Sequence, residues 1–197
     1  MPPKSKITKD MIVSAAFEIV RQSGHESLNV RAIAEKLGCS TQPVLYHFKT
    51  VDDIREAVYQ AADDYHTRYI SPDGDAADPL LALGLNYVRF GREEANLFRF
   101  LFQTNRFSGA DMSALTGDPA VAGLVGLVAE GAGCGEREAR ALFAALFAVA
   151  HGLASLMANN AMAYDEAEAA AALTDVYLGM LAVKKEGSHH DEALPEE

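Results

Sequence analysis

Residues 30–48 read VRAIAEKLGCSTQPVLYHF, and this stretch decides the fold. Two short runs of helical apolar spacing flank a glycine, and a residue able to cap a helix, Asn29 or Ser40, stands directly before each. Asn29 opens a helix from about Val30 to Leu37 that turns Ile33, Ala34 and Leu37 inward, and Gly38 closes it. Ser40 opens the next, from Thr41 to about Phe48, with Pro43 tolerated because amides in a first turn have no intrahelical partner. Two short helices joined so tightly must cross with their backbones close, which calls for small or apolar side chains at the contact. Ala34, Gly38 and Val44 stand at those places, supported by Ile33, Leu37 and Cys39, so the cysteine has a packing role. The pair is a helix-turn-helix, whose second helix enters the major groove of DNA N-terminus first.

Helical periodicity continues on both sides. Before the pair, residues 8–23 place Met11, Ile12, Ala15, Ala16, Ile19 and Val20 at three- and four-residue steps between an N-cap at Thr8 and a stop at Gly24. After it, Thr50 and Asp53 form a capping box with Asp in place of the usual Glu, opening a helix to about Tyr69. The segment SPDGDAAD, residues 71–78, reads as a loop. Further helices are predicted at about 79–91, 93–104 and 118–130, and two long Ala-rich ones at about 136–160 and 165–184. The fold class is all-α. The predicted organisation is a three-helix DNA-binding domain over residues 1–50, a larger helical domain over 51–185, and a polar, disordered tail over 186–197.

With 197 residues, 49% of them apolar, the chain can bury a sizeable core. Arg, Glu, Asn or Gly interrupts every apolar stretch before the roughly 18 residues a membrane span needs, and the N-terminus lacks an apolar signal core. The expectation is a cytoplasmic protein with no membrane partner. Cys39 and Cys134 are too few and too far apart for a disulfide framework or a zinc site, so no metal or cofactor is expected. Net charge is −11, yet residues 1–50 hold seven bases (Lys4, Lys6, Lys9, Arg21, Arg31, Lys36, Lys49) against four acids. That segment is therefore +3 and the rest −14, so only the first part suits a polyanion.

The block from Ile7 to Val58 resembles the DNA-binding domain of the TetR family of transcriptional regulators. It matches in order through ITKDMIVSAAFEIVRQSG, SLNVRAIAEKLGCS and TQPVLYHFKTVDDIREAV, and its most specific part is the aromatic close YHFK. The family often has an aromatic where this chain has Leu45. On the outward side of the recognition helix, Thr41, Gln42 and Tyr46 are the base-reading candidates, since Gln pairs bidentately with adenine and a Thr methyl touches thymine. Ser40, Tyr46, His47 and Lys49 are placed to bind phosphate, Lys49 by its family position, and Lys4, Lys6 and Lys9 form a basic arm. For His47 packing and phosphate contact both stand open, and Arg31 is either solvated or a phosphate contact.

Residues 79–107 are dense in aromatic and bulky apolar groups, most of which must be core, but their density exceeds what one face of two helices needs, and with a few polar groups among them they also have the usual make-up of a small-molecule pocket. The resemblance implies that this domain binds an inducer, with Asn86, Tyr87, Phe90, Phe98, Phe102, Gln103, Phe107 and His151 as candidate ligand contacts. It also implies a homodimer through the two C-terminal helices and a repressor released from a palindromic double-stranded operator by a small-molecule effector. Paired reading heads match half-sites about one helical turn, ~34 to 36 Å, apart. The alternative is an all-α carrier or enzyme with an incidental helix pair. Against an enzyme, the chain has no Ser/His/Asp or Cys/His set, no HExxH, no Gly-rich phosphate loop and no di-metal carboxylate-histidine spacing. A nonspecific architectural DNA protein would be basic throughout, which −14 beyond residue 50 contradicts.

Overall fold

In the computed structural model, which describes residues 7–105 and 109–191, every regular element is a helix. Helix α1, Lys9–Ser23, begins where the Thr8 hydroxyl accepts the Met11 amide at 3.2 Å, and it buries Ile12, Ala15, Ala16, Ile19 and Val20. A 3-10 turn, His25–Ser27, leads to α2, Val30–Lys36, whose first amides are served by Asn29: its Oδ1 accepts from Ala32 at 2.9 Å. Helix α3, Thr41–His47, follows the Gly38 turn. Helix α4, Val51–Ile70, opens with the reciprocal box: the Thr50 amide donates to Asp53 Oδ2 at 2.9 Å and the Asp53 amide to Thr50 Oγ1 at 3.0 Å. The shorter acid still reaches back far enough to serve an amide that would otherwise lack a partner.

Then come α5 (Pro79–Glu93), α6 (Ala95–Phe102), α7 (Met112–Gly117), α8 (Ala122–Ala132), α9 (Glu136–Asn160) and α10 (Glu166–Asp191). Helix α7 was not expected from periodicity; Asp111 caps it by accepting the Ala114 amide at 2.7 Å. The helix expected over 118–130 is split, a 3-10 turn at Pro119–Val121 preceding α8, with Asp118 accepting the Ala120 amide at 2.8 Å. Disorder expected from residue 186 is corrected in part, because α10 continues to Asp191; a lone Gly187 costs only about 1 kcal/mol and does not by itself end a helix. Residues 192–197 lie outside the described residues.

The chain forms two units, one from Met1–Tyr69 with Phe90–Arg106, the other from Ile70–Arg89 with Phe107–Glu197. The boundary expected at residue 50 therefore falls inside the first unit, which takes in α4 and α6. Its core includes Ile12, Val20, Ile33, Val44, Ile54, Val58, Leu97, Phe98 and Phe100, all 1% exposed or less. In the second unit Val125, Val128, Ala139, Leu142 and Phe143 are buried, with Tyr177, Met180 and Leu181 packed against them. Helix α9 is long and apolar enough, by length and composition, to cross a membrane, contrary to the expectation that every such run is broken. Here α8 and α10 pack along it, and Leu142, Phe143, Ala150, Ala154 and Met157 are buried.

Candidate nucleic-acid interface

Gly38 has φ of 63°, and a Cβ built there would meet nothing within 4 Å, so the glycine serves the left-handed turn rather than a close contact. That turn is closed by the Gly38 amide on Glu35 O at 3.0 Å and the Cys39 amide on Ala34 O at 2.9 Å. It aims α3 so that Val44 is fully buried and Phe48 nearly so, while Gln42, Leu45 and Tyr46 face out. Tyr46 is 82% exposed, its ring 5.1 Å from that of His47. Thr41 is half-buried at the leading end. Ser40 occupies the N-cap position of α3 but its side chain makes no capping bond, so the sequence placed the residue correctly and its hydroxyl's partner wrongly.

Around this helix stand the expected cations. Arg31, on α2, and Lys49, just beyond α3, are exposed. Lys9 belongs to the first turn of α1 instead of a basic arm, its ammonium 5.1 Å from the centre of the Phe48 ring. Lys4 and Lys6 lie outside the described residues. His47 Nε2 is 3.0 Å from the Ile7 carbonyl and must donate to it, which ties the end of α3 to the start of α1. An open groove of about 480 Å³ runs beside the helix, lined by Lys9, His47, Phe48, Lys49, Asp53, Glu56, Ala57 and Gln60.

Two features in the same unit had no signal in the sequence. The first is a polar cluster: Arg21 Nε donates to Glu94 Oε2 at 2.8 Å, and Tyr65 Oη donates to Glu94 Oε1 at 2.8 Å. A second arm of the Arg21 guanidinium also reaches Glu94, whose side chain is only 7% exposed. The Glu94 bond raises the Arg21 pKa; burial and then the same carboxylate raise that of Tyr65. The second is His66 of α4, buried with its ring 4.8 Å from Phe90 and 5.1 Å from Phe102, both edge-on. Burial lowers its pKa to about 4.

The residues expected to contact an inducer do not share one unit. Phe90, Phe98, Phe102 and Gln103 belong to the first, where Phe90 and Phe98 are fully buried core and Gln103 ends α6 in an exposed position. Asn86, Tyr87 and His151 belong to the second; Phe107 lies outside the described residues. The buried Tyr87 hydroxyl lies 2.9 Å from His151 Nδ1, and Asn86 Nδ2 donates to Ile70 O at 3.4 Å. Burial pushes the Tyr87 pKa far up and the His151 pKa down. A groove of about 280 Å³ in the second unit is lined instead by Thr116, Gly117, Asp118, Ala122, Val125, Gly126, Ala129, Glu136 and Arg140.

Helices α1 to α3, with α3 turned outward after the Gly38 turn, have the order and exposure of a helix-turn-helix. Residues 80–179 match the family model for the "Tetracyclin repressor-like, C-terminal domain", and this chain belongs to the TetR family. It is also similar, with TM-score 0.53 and 25% identity over 85% of this chain and 96% of the other, to a solved structure from Streptomyces coelicolor described as a member of the TetR family. No curated protein matches the sequence. Family membership carries DNA binding and dimerisation in general.

Proposed function

We propose that this regulator is a repressor that sits as a homodimer on a palindromic operator and is released by a small-molecule inducer. The observation that carries the DNA contact is the outward face of α3, where Gln42 and Tyr46 stand exposed over a fully buried Val44 with Lys49 beside them. Gln42, Thr41 and Tyr46 read bases, while Lys49, Arg31 and Ser40 hold phosphates. His47 acts through the Ile7 carbonyl, fixing the tilt of α3 rather than gripping the backbone of DNA. Helices α9 and α10 form the dimer contact; Leu156 and Leu178, 43% and 55% exposed, support this reading as apolar groups lying open on those two helices.

Inducer binding in the C-terminal region would favour a state whose heads no longer match the operator spacing, and α4 carries the change because it follows the recognition helix directly. A ligand does this only through different affinity for the two states. Titration of the dimer with promoter fragments from its own gene neighbourhood, at several salt concentrations, tests the proposal. Tight, salt-sensitive binding to one fragment, weakened by Tyr46→Ala, is expected; equal binding to every duplex, or none, overturns it.

A further inference from the structure

Helix α3 offers two neighbouring edges. Gln42 and Tyr46, one helical turn apart, are both exposed and both polar at their tips; Thr41 and Leu45, also one turn apart, make an apolar edge beside them. Leu45 is 49% exposed although its neighbour Val44 is completely buried. A single leucine at a protein surface usually requires no explanation. This one lies on the short helix whose outward face, on the reading above, enters the major groove, one turn from Thr41 on its leading end. It has no donor or acceptor, so it would strip water from any polar base edge it covered and return nothing. The one apolar feature among the four ordinary bases in that groove is the 5-methyl group of thymine.

We infer that Leu45, with the Thr41 methyl one turn before it, recognises the 5-methyl group of a thymine in each operator half-site. The inference rests on the DNA-binding reading above and adds a base identity to it. Gln42 and Tyr46 then face the adjoining positions with hydrogen-bonding groups, so the two edges of one helix read neighbouring base pairs by different chemistry.

The test uses the full chain. Duplexes are first selected from a random pool with the wild-type protein, and each thymine of the selected site is then replaced by deoxyuridine, which removes only the methyl group. At one thymine per half-site the affinity should fall about fourfold, and about fifteenfold when both halves are changed, the worth of one or two buried methyl groups. Leu45→Ala should bind the thymine and uracil sites almost equally, and selection with Leu45→Gln should no longer prefer thymine there. Unchanged unfolding midpoints would show that both variants fold, as expected for an exposed position. The inference is overturned if no thymine methyl matters, or if the methyl effect survives undiminished in Leu45→Ala. Failure of the DNA-binding reading itself looks different: no duplex is enriched at all, and the base assignment falls with it.

Discussion

Arg21 and Glu94, 73 residues apart, meet through two arms of the guanidinium, and the Tyr65 hydroxyl bonds to the same carboxylate. The last turn of α1, the later part of α4 and the residue before α6 are thereby joined at one buried acid inside the first unit. Removing one member of a buried pair leaves the other desolvated and unmatched, which costs more than the pair itself contributes. Arg21 is 38% exposed, so water softens the loss. Glu94→Gln should lower unfolding stability by about 2 kcal/mol in urea titration, and Arg21→Met with Glu94→Gln should lose less than the two single changes combined. Strict additivity would show that the pair is not coupled.

Tyr46→Ala removes a ring that is 82% exposed, so the unfolding midpoint should hardly move while operator affinity drops at least tenfold. Lys49→Ala should weaken binding to all sequences alike and reduce the slope of log affinity against log salt by about one per half-site. A lysine variant that changes sequence preference, with the slope intact, would mean that Lys49 reads bases.

The box between Thr50 and Asp53 is closed at both ends, with bonds of 2.9 and 3.0 Å. Each of Thr50→Ala and Asp53→Ala should therefore cost about 1 kcal/mol of stability, and the double change little more than either one. Thermal unfolding by calorimetry would reveal this, and two fully independent losses would show that the bonds do not act as a unit.

For His66 the folded pKa of about 4 lies below the ordinary value of 6.5, because burial penalises the charged ring. Between those values the unfolded chain takes up a proton that the folded chain refuses. Stability is therefore complete above pH 6.5 and is lost as pH falls toward 4, by on the order of 2 to 3 kcal/mol from this residue. Carboxylates contribute to acid unfolding as well, so the comparison is between wild type and His66→Leu. The variant's stability should fall less steeply over that interval; parallel curves would refute the assignment.

Leu156→Asp and Leu178→Asp together put charge on apolar groups that lie 43% and 55% exposed on α9 and α10. If these helices form the dimer contact, sedimentation should shift from dimer to monomer with far-UV circular dichroism unchanged. A dimer that persists would move the interface elsewhere.

Most helix boundaries were legible from residue order because their causes are local. Thr8, Asn29 and the Thr50–Asp53 box cap amides within three positions, and Gly24 and Gly38 take positive φ at the stops where glycine was expected. The bounds of α9, residues 136–160, are those its apolar periodicity indicates. Where two cues competed, the reading slipped: Pro119 suggested a single helix start but sits in a separate 3-10 turn, and α7 was too short to announce itself by periodicity.

The candidate site divides in the same way. That α3, Thr41–His47, turns Gln42, Leu45 and Tyr46 outward followed from the order of Gly38, Val44 and Phe48, each of which acts within a turn or two of its neighbours. What only the tertiary structure decided is which distant side chains meet. It brought Arg21 to Glu94, gave the His47 ring the Ile7 carbonyl, and sent Phe90 and Phe98 into a different unit from Tyr87 and His151. Periodicity marks a side chain as inward but not toward which neighbour, because that is set by how whole helices pack across tens of residues, where no repeating interval remains to be read.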